Sequence, residues 1–390
     1  MPLKMLVVDD EPDLESLVRQ RFRKQIRENE FSILFARSGL QALDTIAQHP
    51  DIHLVLSDIN MPEMDGLTLL SKLSEMQNPL LKAVVVSAYG DMGNIRTAMN
   101  RGAFDFVTKP IDFNDLEITI NKTIEQIKNV KQSLEDRKEL VAVQHDLSIA
   151  RRIQQSILPT TFPPFPHRKE IDIYAEMRTA KEVGGDLYDF FFVDNDHLGF
   201  IMADVSGKGV PAAIFMAMCR AVLKTIAMRI TDPGEVLQHV NATLIPESDD
   251  AMFVTIFYGI LDTKTGDMTY SCGGHSPPYL LRADGEIVQL PFAGGTIVGK
   301  LPGVPFASAT AQVLPGEKLF TYTDGVTEAM NHEREMFEEN RLVDSLKKSK
   351  ELSLKDLIGT VVNDIGDFTA GAPPSDDITM MVLRYNGSGG

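Results

Sequence analysis

From Asn114 to Leu158 the chain contains neither proline nor glycine, and Pro159 ends the run. A stretch of that length without a breaker has helix as its natural regular structure, and no compact core can pass through it. The chain must therefore be organised as one body before the helix and another after it. Ile120, Ile124, Ile127 and Leu134 approximate a heptad, while Lys131, Lys138 and His145 fall at core-like positions. The apolar stripe resumes out of phase at Leu147, Ala150, Ile153 and Ile157, which predicts a stutter near 138–145. A weak two-stranded coiled coil, and with it a homodimer through the linker helix, is the preferred reading; a helix packed on its own domains is the alternative. Four prolines between Pro159 and Pro166 make a stiff entry to the second body. The predicted boundaries are 1–120, a linker at 121–166, and 167–386.

In residues 1–120, β-rich apolar runs at Met5–Val8, Phe31–Phe35, Leu54–Leu56, Ala83–Val86 and Phe104–Val107 alternate with amphipathic stretches such as Leu14/Leu17/Val18/Phe22. That alternation predicts an α/β doubly wound parallel sheet of five strands, with its functional face at the strand carboxyl ends. Asp9, Asp10 and Glu11 follow strand one, Asp58 strand three, Ser87 strand four and Lys109 strand five. Carboxylates gathered there can bind Mg²⁺ and leave Asp58 as a nucleophile toward a phosphoryl group, whose oxygens Ser87 and Lys109 can contact.

This layout resembles the response-regulator receiver domain over the whole segment. The residues that carry the resemblance are Val7-Val8-Asp9-Asp10-Glu11, Ser57-Asp58-Ile59-Asn60-Met61-Pro62-Glu63-Met64-Asp65-Gly66, Ser87-Ala88 and Val107-Thr108-Lys109-Pro110. The resemblance implies phosphorylation of Asp58 by a sensor histidine kinase. It also implies metal held by Asp10, Asp58 and the Asn60 carbonyl with Asp9 in support, a cis Lys109–Pro110 peptide, and Phe106 at the switch-aromatic position beside Ser87 and Lys109.

Beyond the linker, β-runs at 171–175, 187–193, 198–203, 253–261, 268–272, 279–282, 286–290, 318–322 and 378–383 are separated by turn signals, as in antiparallel sheets. Helices are predicted at 211–230, 233–244, 338–349 and 354–368, so this part reads as α+β with two packed sheets and helices outside. Acidic residues punctuate the strand ends: Asp186 after Gly184-Gly185, Asp204, Asp324 before Gly325, and the pair Asp376-Asp377. Carboxylates brought together repel one another, so such a set points to hard cations and to phosphate chemistry. Three other motifs fail on their own terms. Gly294–Lys300 has phosphate-loop spacing, but Leu301 stands where Ser or Thr is needed. Gly184-Gly185-Asp186 continues as Leu187-Tyr188, unlike a diguanylate cyclase. Ser276 lacks the Gly-x-Ser-x-Gly elbow, and His275 beside it is read as structural rather than as a general base.

The ordered set Glu182–Asp189, Ala203–Gly209, Gly273–Pro278, Tyr322–Ala329 and Ser375–Thr379 resembles the bacterial metal-dependent serine phosphatases of type 2C, in the branch governing sporulation and stress sigma factors. That resemblance implies an αββα sandwich holding two Mn²⁺ or Mg²⁺ ions. Asp204 would bridge them, Asp186 and the Val205 carbonyl would hold one, and Asp324 with Asp376 the other, with Asp189 and Asp377 outside the ligand set. It further implies, as substrate, a phosphoserine-bearing anti-sigma-factor antagonist. The competing reading is a non-catalytic adaptor that uses the same fold to bind a sigma-factor regulator. Degenerate metal positions would mark that class, and the Asp set here is complete.

The remaining bounds come from composition. The net charge of −17 disfavours nucleic acid as a partner. The two lone cysteines, Cys219 and Cys272, fit a reducing compartment. With no signal peptide and no long uncharged apolar run, a cytoplasmic protein without a membrane partner is expected.

Overall fold

The computed structural model describes residues 2–88, 91–247 and 252–387. The chain forms two compact units, residues 1–143 and 144–390. The first contains β1 (Leu3–Val8), α1 (Pro12–Arg21), α2 (Arg23–Arg27), β2 (Phe31–Ala36), α3 (Gly39–Gln48), β3 (Ile52–Asp58), α4 (Gly66–Glu75), β4 (Lys82–Ala88), α5 (Met92–Asn100) and β5 (Asp105–Lys109). The strands make a parallel sheet in the order β2-β1-β3-β4-β5. The order reverses at β1, so the carboxyl ends of β1 and β3 lie side by side at the switch point. Successive residues of β1 feed opposite faces: Leu6 and Val8 join one cluster, Met5 and Val7 the other. With both faces covered, these strands read as unbroken apolar runs.

The long helix α6 (Phe113–Ile157) spans 45 residues. Asp112 starts it by accepting the Asn114 and Asp115 amides, and Pro159 follows its end. Leu116, Ile120, Ile124 and Ile127 are buried in the first unit's cluster with Met5, Leu54 and Val84. Three of the four apolar residues of the expected heptad, Ile120, Ile124 and Ile127, are thus the packing face of the first unit's last helix. Leu140, Val141 and Val143 lie further along and are exposed.

The second unit opens with β6 (Ile171–Arg178), β7 (Leu187–Phe192), β8 (His197–Val205), α7 (Val210–Ala227) and α8 (Pro233–Leu244). It continues through β9 (Val254–Asp262), β10 (Asp267–Gly273), β11 (Tyr279–Leu281), β12 (Ile287–Gln289), β13 (Ala309–Gln312) and β14 (Lys318–Tyr322) to α9 (Glu338–Ser349), α10 (Leu354–Thr369) and β15 (Ile378–Tyr385). Two antiparallel sheets result, ordered β13-β10-β9-β8-β7 and β12-β11-β14-β15-β6. Helices α7 and α8 pack on the first sheet, while α9 and α10 share a cluster with the outer face of the second. The layers are therefore helix, sheet, sheet, helix, as the motif set implied. Strand β13 escaped the sequence reading because Ala-Thr-Ala-Gln carries no apolar alternation; its pairing with β10 makes it a strand. Val210–Ala227 is, by length and composition, apolar enough to cross a membrane, yet Phe215, Met216, Cys219 and Leu223 are buried in the domain core.

One buried side chain joins the two sheets. The Nε2–H of His275 donates to the Tyr322 carbonyl at 3.0 Å, and the Thr255 hydroxyl sits 2.9 Å from Nδ1, which accepts from it. Tyr322 ends β14 and Thr255 lies on β9, opposite Asp204. Burial pushes the imidazole down to about 4, against the opposing effect of the Tyr322 carbonyl, so the folded protein keeps it neutral. The unfolded chain takes up this proton near its ordinary value of about 6.5, so the stability His275 contributes is present above that pH and is lost as pH falls toward 4. The stability advantage of the wild type over His275→Gln should shrink by on the order of 3 kcal/mol between pH 7 and 4, read by denaturant unfolding at each pH. A pH-independent difference would show that the imidazole is not held neutral.

Candidate functional site

At the switch point of the parallel sheet, β1 and β3 deliver Asp9 and Asp58, both buried, while Asp10 is exposed. Each offers a carboxylate oxygen within 4.8 Å of the others. Lys109, ending β5, places its ammonium 2.5 Å from Asp58 Oδ2 and 3.5 Å from Asp9 Oδ2. The Glu11 amide donates to Asp9 Oδ1 at 2.8 Å, and the Asn60 amide to Asp58 Oδ1 at 3.3 Å. Burial raises the Asp9 carboxyl, opposed by the Glu11 amide and Lys109. Burial would lower the Lys109 ammonium, but Asp58 and Asp9 outweigh it and hold the group above its ordinary value. Ser87 is fully buried, and its hydroxyl has no hydrogen-bond partner among the described residues. Three carboxylates with a single ammonium form a hard oxygen donor set that fits Mg²⁺, and the unpaired Ser87 hydroxyl fits an incoming phosphoryl oxygen. Phe106 is half-buried against the core on the Leu6/Val8 face of the sheet, and the Lys109–Pro110 peptide is cis.

In the second unit, carboxylates converge from both sheets. Asp186 precedes β7 and Asp204 lies near the end of β8; Asp324 follows β14 and Asp376 precedes β15. Asp186 is buried, and one of its oxygens accepts the Thr323 hydroxyl at 2.8 Å and the Thr379 hydroxyl at 2.5 Å. Burial raises its carboxyl, and Asp204 adds to that. Asp204 is raised to about 7, first by burial and then by Asp324 and Asp376. Burial and Asp376 likewise raise Asp324. Lys208 stands against this set, 2.8 Å from Asp376 Oδ2. Carboxylates pressed together in burial form a hard donor set suited to divalent cations, which relieve the repulsion that one ammonium leaves. A Cβ on Gly185 would lie 2.8 Å from the Val205 carbonyl oxygen, so that carbonyl faces the Asp186 turn.

The two remaining aspartates stand apart from the ligand candidates in different ways. Asp377 is buried and accepts the Ala180 amide through Oδ1 and the Gly185 amide through Oδ2, each at 2.8 Å, so it fixes the turn that presents Asp186. Asp189 is buried 2.9 Å from Arg220 and 3.9 Å from Lys224, an ion pair that ties β7 to α7. Gly325 has to be glycine, because a Cβ there would lie 1.9 Å from the Asp377 carbonyl oxygen. The buried Gln154 of α6 donates to the Gly184 carbonyl at 2.6 Å and accepts the Gly184 amide at 3.1 Å. Sequence reasoning left out Gln154, Thr323, Thr379 and Lys208. The threonines could have been flagged as hydroxyls bordering the acidic strand ends, and Gln154 lies in Ala150–Gln155, a stretch that shares the phosphatase resemblance but by itself gives the residue no role.

A model of the response regulator receiver domain matches residues 5–121, and one of Stage II sporulation protein E matches residues 194–386. Protein IcfG of Synechocystis is 30% identical over 270 residues, which cover 62% of this chain and 42% of IcfG. Phosphoserine phosphatase RsbU of Bacillus subtilis is 27% identical over 246 residues, covering 62% of this chain and 70% of RsbU. The chain thus spans under half the length of the first of these relatives. The SiaA-PP2C domain of Pseudomonas aeruginosa superposes with a TM-score of 0.57 at 21% identity, over 63% of this chain and 98% of that domain, a likeness of fold. By these matches and the geometry they fall on, the chain joins a response-regulator receiver domain to a domain of PP2C phosphatase type that matches Stage II sporulation protein E.

Proposed function

We propose that the chain is a phosphorylation-controlled response regulator whose output removes phosphate from phosphoserine or phosphothreonine on a partner protein, with an anti-sigma-factor antagonist as substrate. The observation that carries this reading is the convergence of Asp186, Asp204, Asp324 and Asp376 from the ends of two sheets, where burial and neighbouring carboxylates raise the first three. Asp204 sits among the other three and is the candidate to share two ions; Asp186 with the Val205 carbonyl would hold one, and Asp324 with Asp376 the other. Two Mn²⁺ or Mg²⁺ ions there would supply an activated water and neutralise charge on the phosphoryl oxygens. The chain's part is to fix the donors. Thr323 and Thr379 hold one oxygen of Asp186 and leave the other for a ligand, and Asp377 holds the turn behind it. The intact aspartate set favours catalysis over the adaptor reading. The name of RsbU, a phosphoserine phosphatase, supports the substrate class.

The input half rests on Asp58. Its carboxylate is the candidate acceptor of a phosphoryl group from a sensor histidine kinase, with Lys109 and Ser87 placed to contact the added oxygens and Asp9, Asp10, Asp58 and the Asn60 carbonyl to hold Mg²⁺. Between input and output, the exposed apolar residues Leu140, Val141 and Val143 of α6 support a homodimer that pairs through this helix. A cytoplasmic location accords with this role.

Acetyl phosphate with Mg²⁺ should add one acid-labile phosphoryl group to the wild type and none to Asp58→Ala, as read by intact-mass spectrometry; equal labelling of both would remove Asp58 from the role. With saturating Mn²⁺ and p-nitrophenyl phosphate, Asp324→Asn should fall below about a tenth of wild-type turnover, and chelation should abolish the wild-type rate until metal is restored. A variant with near-normal turnover would exclude Asp324 as a ligand. Phosphorylation should raise activity through the helix pair. Two residues inserted near position 140 should rotate the following helix by about 200° and uncouple the response, while seven should largely preserve it. Unchanged regulation in both insertion variants would rule out transmission through α6.

A further inference from the structure

Lys208 was not among the residues that the aspartate pattern picked out, yet it is the cation of the second unit's carboxylate centre. The loop that carries it is pinned upstream by a reciprocal pair: the Ser206 amide donates to the Phe253 carbonyl and the Phe253 amide to the Ser206 hydroxyl, both at 2.9 Å. Gly207 and Gly209 flank the lysine with φ of 89° and 83°, and a Cβ on either would meet nothing within 4 Å. Their glycine character therefore serves the left-handed backbone and not close packing. That backbone swings Lys208 across to the strand entering from the far end of the domain, where its ammonium donates to the Ser375 carbonyl and lies 2.8 Å from Asp376 Oδ2. Its charge is also felt by Asp324 and Glu328, where it opposes the upward push of burial and neighbouring carboxylates. The side chain is 35% exposed, so the head group sits at the boundary between the centre and solvent.

An ammonium has three donors, and the described residues take two of them, the Ser375 carbonyl and Asp376. If two divalent cations balance the charge of Asp186, Asp204, Asp324 and Asp376, the lysine is left as surplus positive charge at the mouth of the site. A phosphomonoester arriving there carries between about −1.5 and −2 at neutral pH and offers several acceptor oxygens. We propose that Lys208 is the substrate-phosphate ligand of this domain, giving its third N–H to a phosphoryl oxygen while Ser375 and Asp376 hold the ammonium in place. This rests on the phosphatase reading above and deepens it by naming the residue that recognises the phosphate.

The alternative is that Lys208 only offsets charge when the carboxylates lack metal. In that case removing it changes metal affinity and leaves phosphate alone. The test uses the full chain loaded with Mn²⁺, titrated calorimetrically with inorganic phosphate, alongside phosphate inhibition of p-nitrophenyl phosphate hydrolysis and Mn²⁺ titration of the metal-free protein. Lys208→Met removes charge and donors; Lys208→Gln removes charge but keeps an N–H donor on a shorter side chain; Lys208→Arg keeps the charge. Both neutral variants should bind phosphate about 10- to 100-fold more weakly, the loss expected for one charge-assisted hydrogen bond, with Mn²⁺ affinity no weaker than wild type and with Arg recovering part of the loss. Phosphate affinity within about twofold of wild type in either folded neutral variant overturns the proposal. A wild type that hydrolyses nothing and binds no phosphate with Mn²⁺ present would instead overturn the phosphatase reading beneath it.

Discussion

Repulsion among carboxylates is the constraint around which the second unit is built. Asp186, Asp204 and Asp324 are each raised by burial and by neighbouring carboxylates, and a fold without compensation would not hold them together with Asp376. The surrounding structure reads as a set of restraints on that repulsion. Hydroxyls from Thr323 and Thr379 fix one oxygen of Asp186, Asp377 clamps the turn before it, and Gly325 allows the Asp324 turn to lie against the Asp377 backbone. His275 joins β9, where Thr255 lies opposite Asp204, to the end of β14, which Asp324 follows, through two hydrogen bonds, neutral because it is buried. A cation-binding centre of this kind is pre-organised by the protein and completed by the ion, which removes the residual cost.

The first unit meets the same problem with a different balance. Its three carboxylates are partly offset by Lys109 at 2.5 Å from Asp58, and one of them, Asp10, faces solvent. The balance leaves Asp58 in contact with a cationic side chain, while the Ser87 hydroxyl at the end of β4 has no hydrogen-bond partner among the described residues. The first pocket thus keeps a buried donor unsatisfied, whereas in the second centre Asp186 is hydrogen-bonded by Thr323 and Thr379 and its turn is held by Asp377.

Helix α6 belongs to both units by packing. Its first turns are buried with the parallel sheet, and Gln154 near its end is hydrogen-bonded to both backbone groups of Gly184. Gly184 stands two residues before Asp186, so the end of the helix and the Asp186 turn are joined by direct hydrogen bonds. A helix held at both ends and bare in the middle has an unsatisfied apolar stripe at Leu140, Val141 and Val143, which is where its interaction with another copy is proposed.

Much of this was legible without coordinates, because the features concerned are local. The breaker-free run demanded a helix. The alternation of β-runs with amphipathic stretches demanded a parallel sheet, and each key aspartate sits where an apolar run meets Gly, Ser or a turn. What the linear pattern could not decide is which long-range partners each group would find. Ile120, Ile124 and Ile127 have heptad spacing, and only the receiver sheet turned them into core residues. Asp189 shares the acidic punctuation of Asp186, yet strand alternation turns it toward Arg220 on α7. Strand β13 exists through its pairing with β10, and Lys208 reaches a carbonyl 167 residues away in sequence. The sequence by itself determined the elements and the chemical character of their ends, since those depend on backbone propensity and side-chain type. The tertiary structure decided the pairings, because hydrogen bonds and charge interactions act through space over a few ångströms, whatever the separation along the chain.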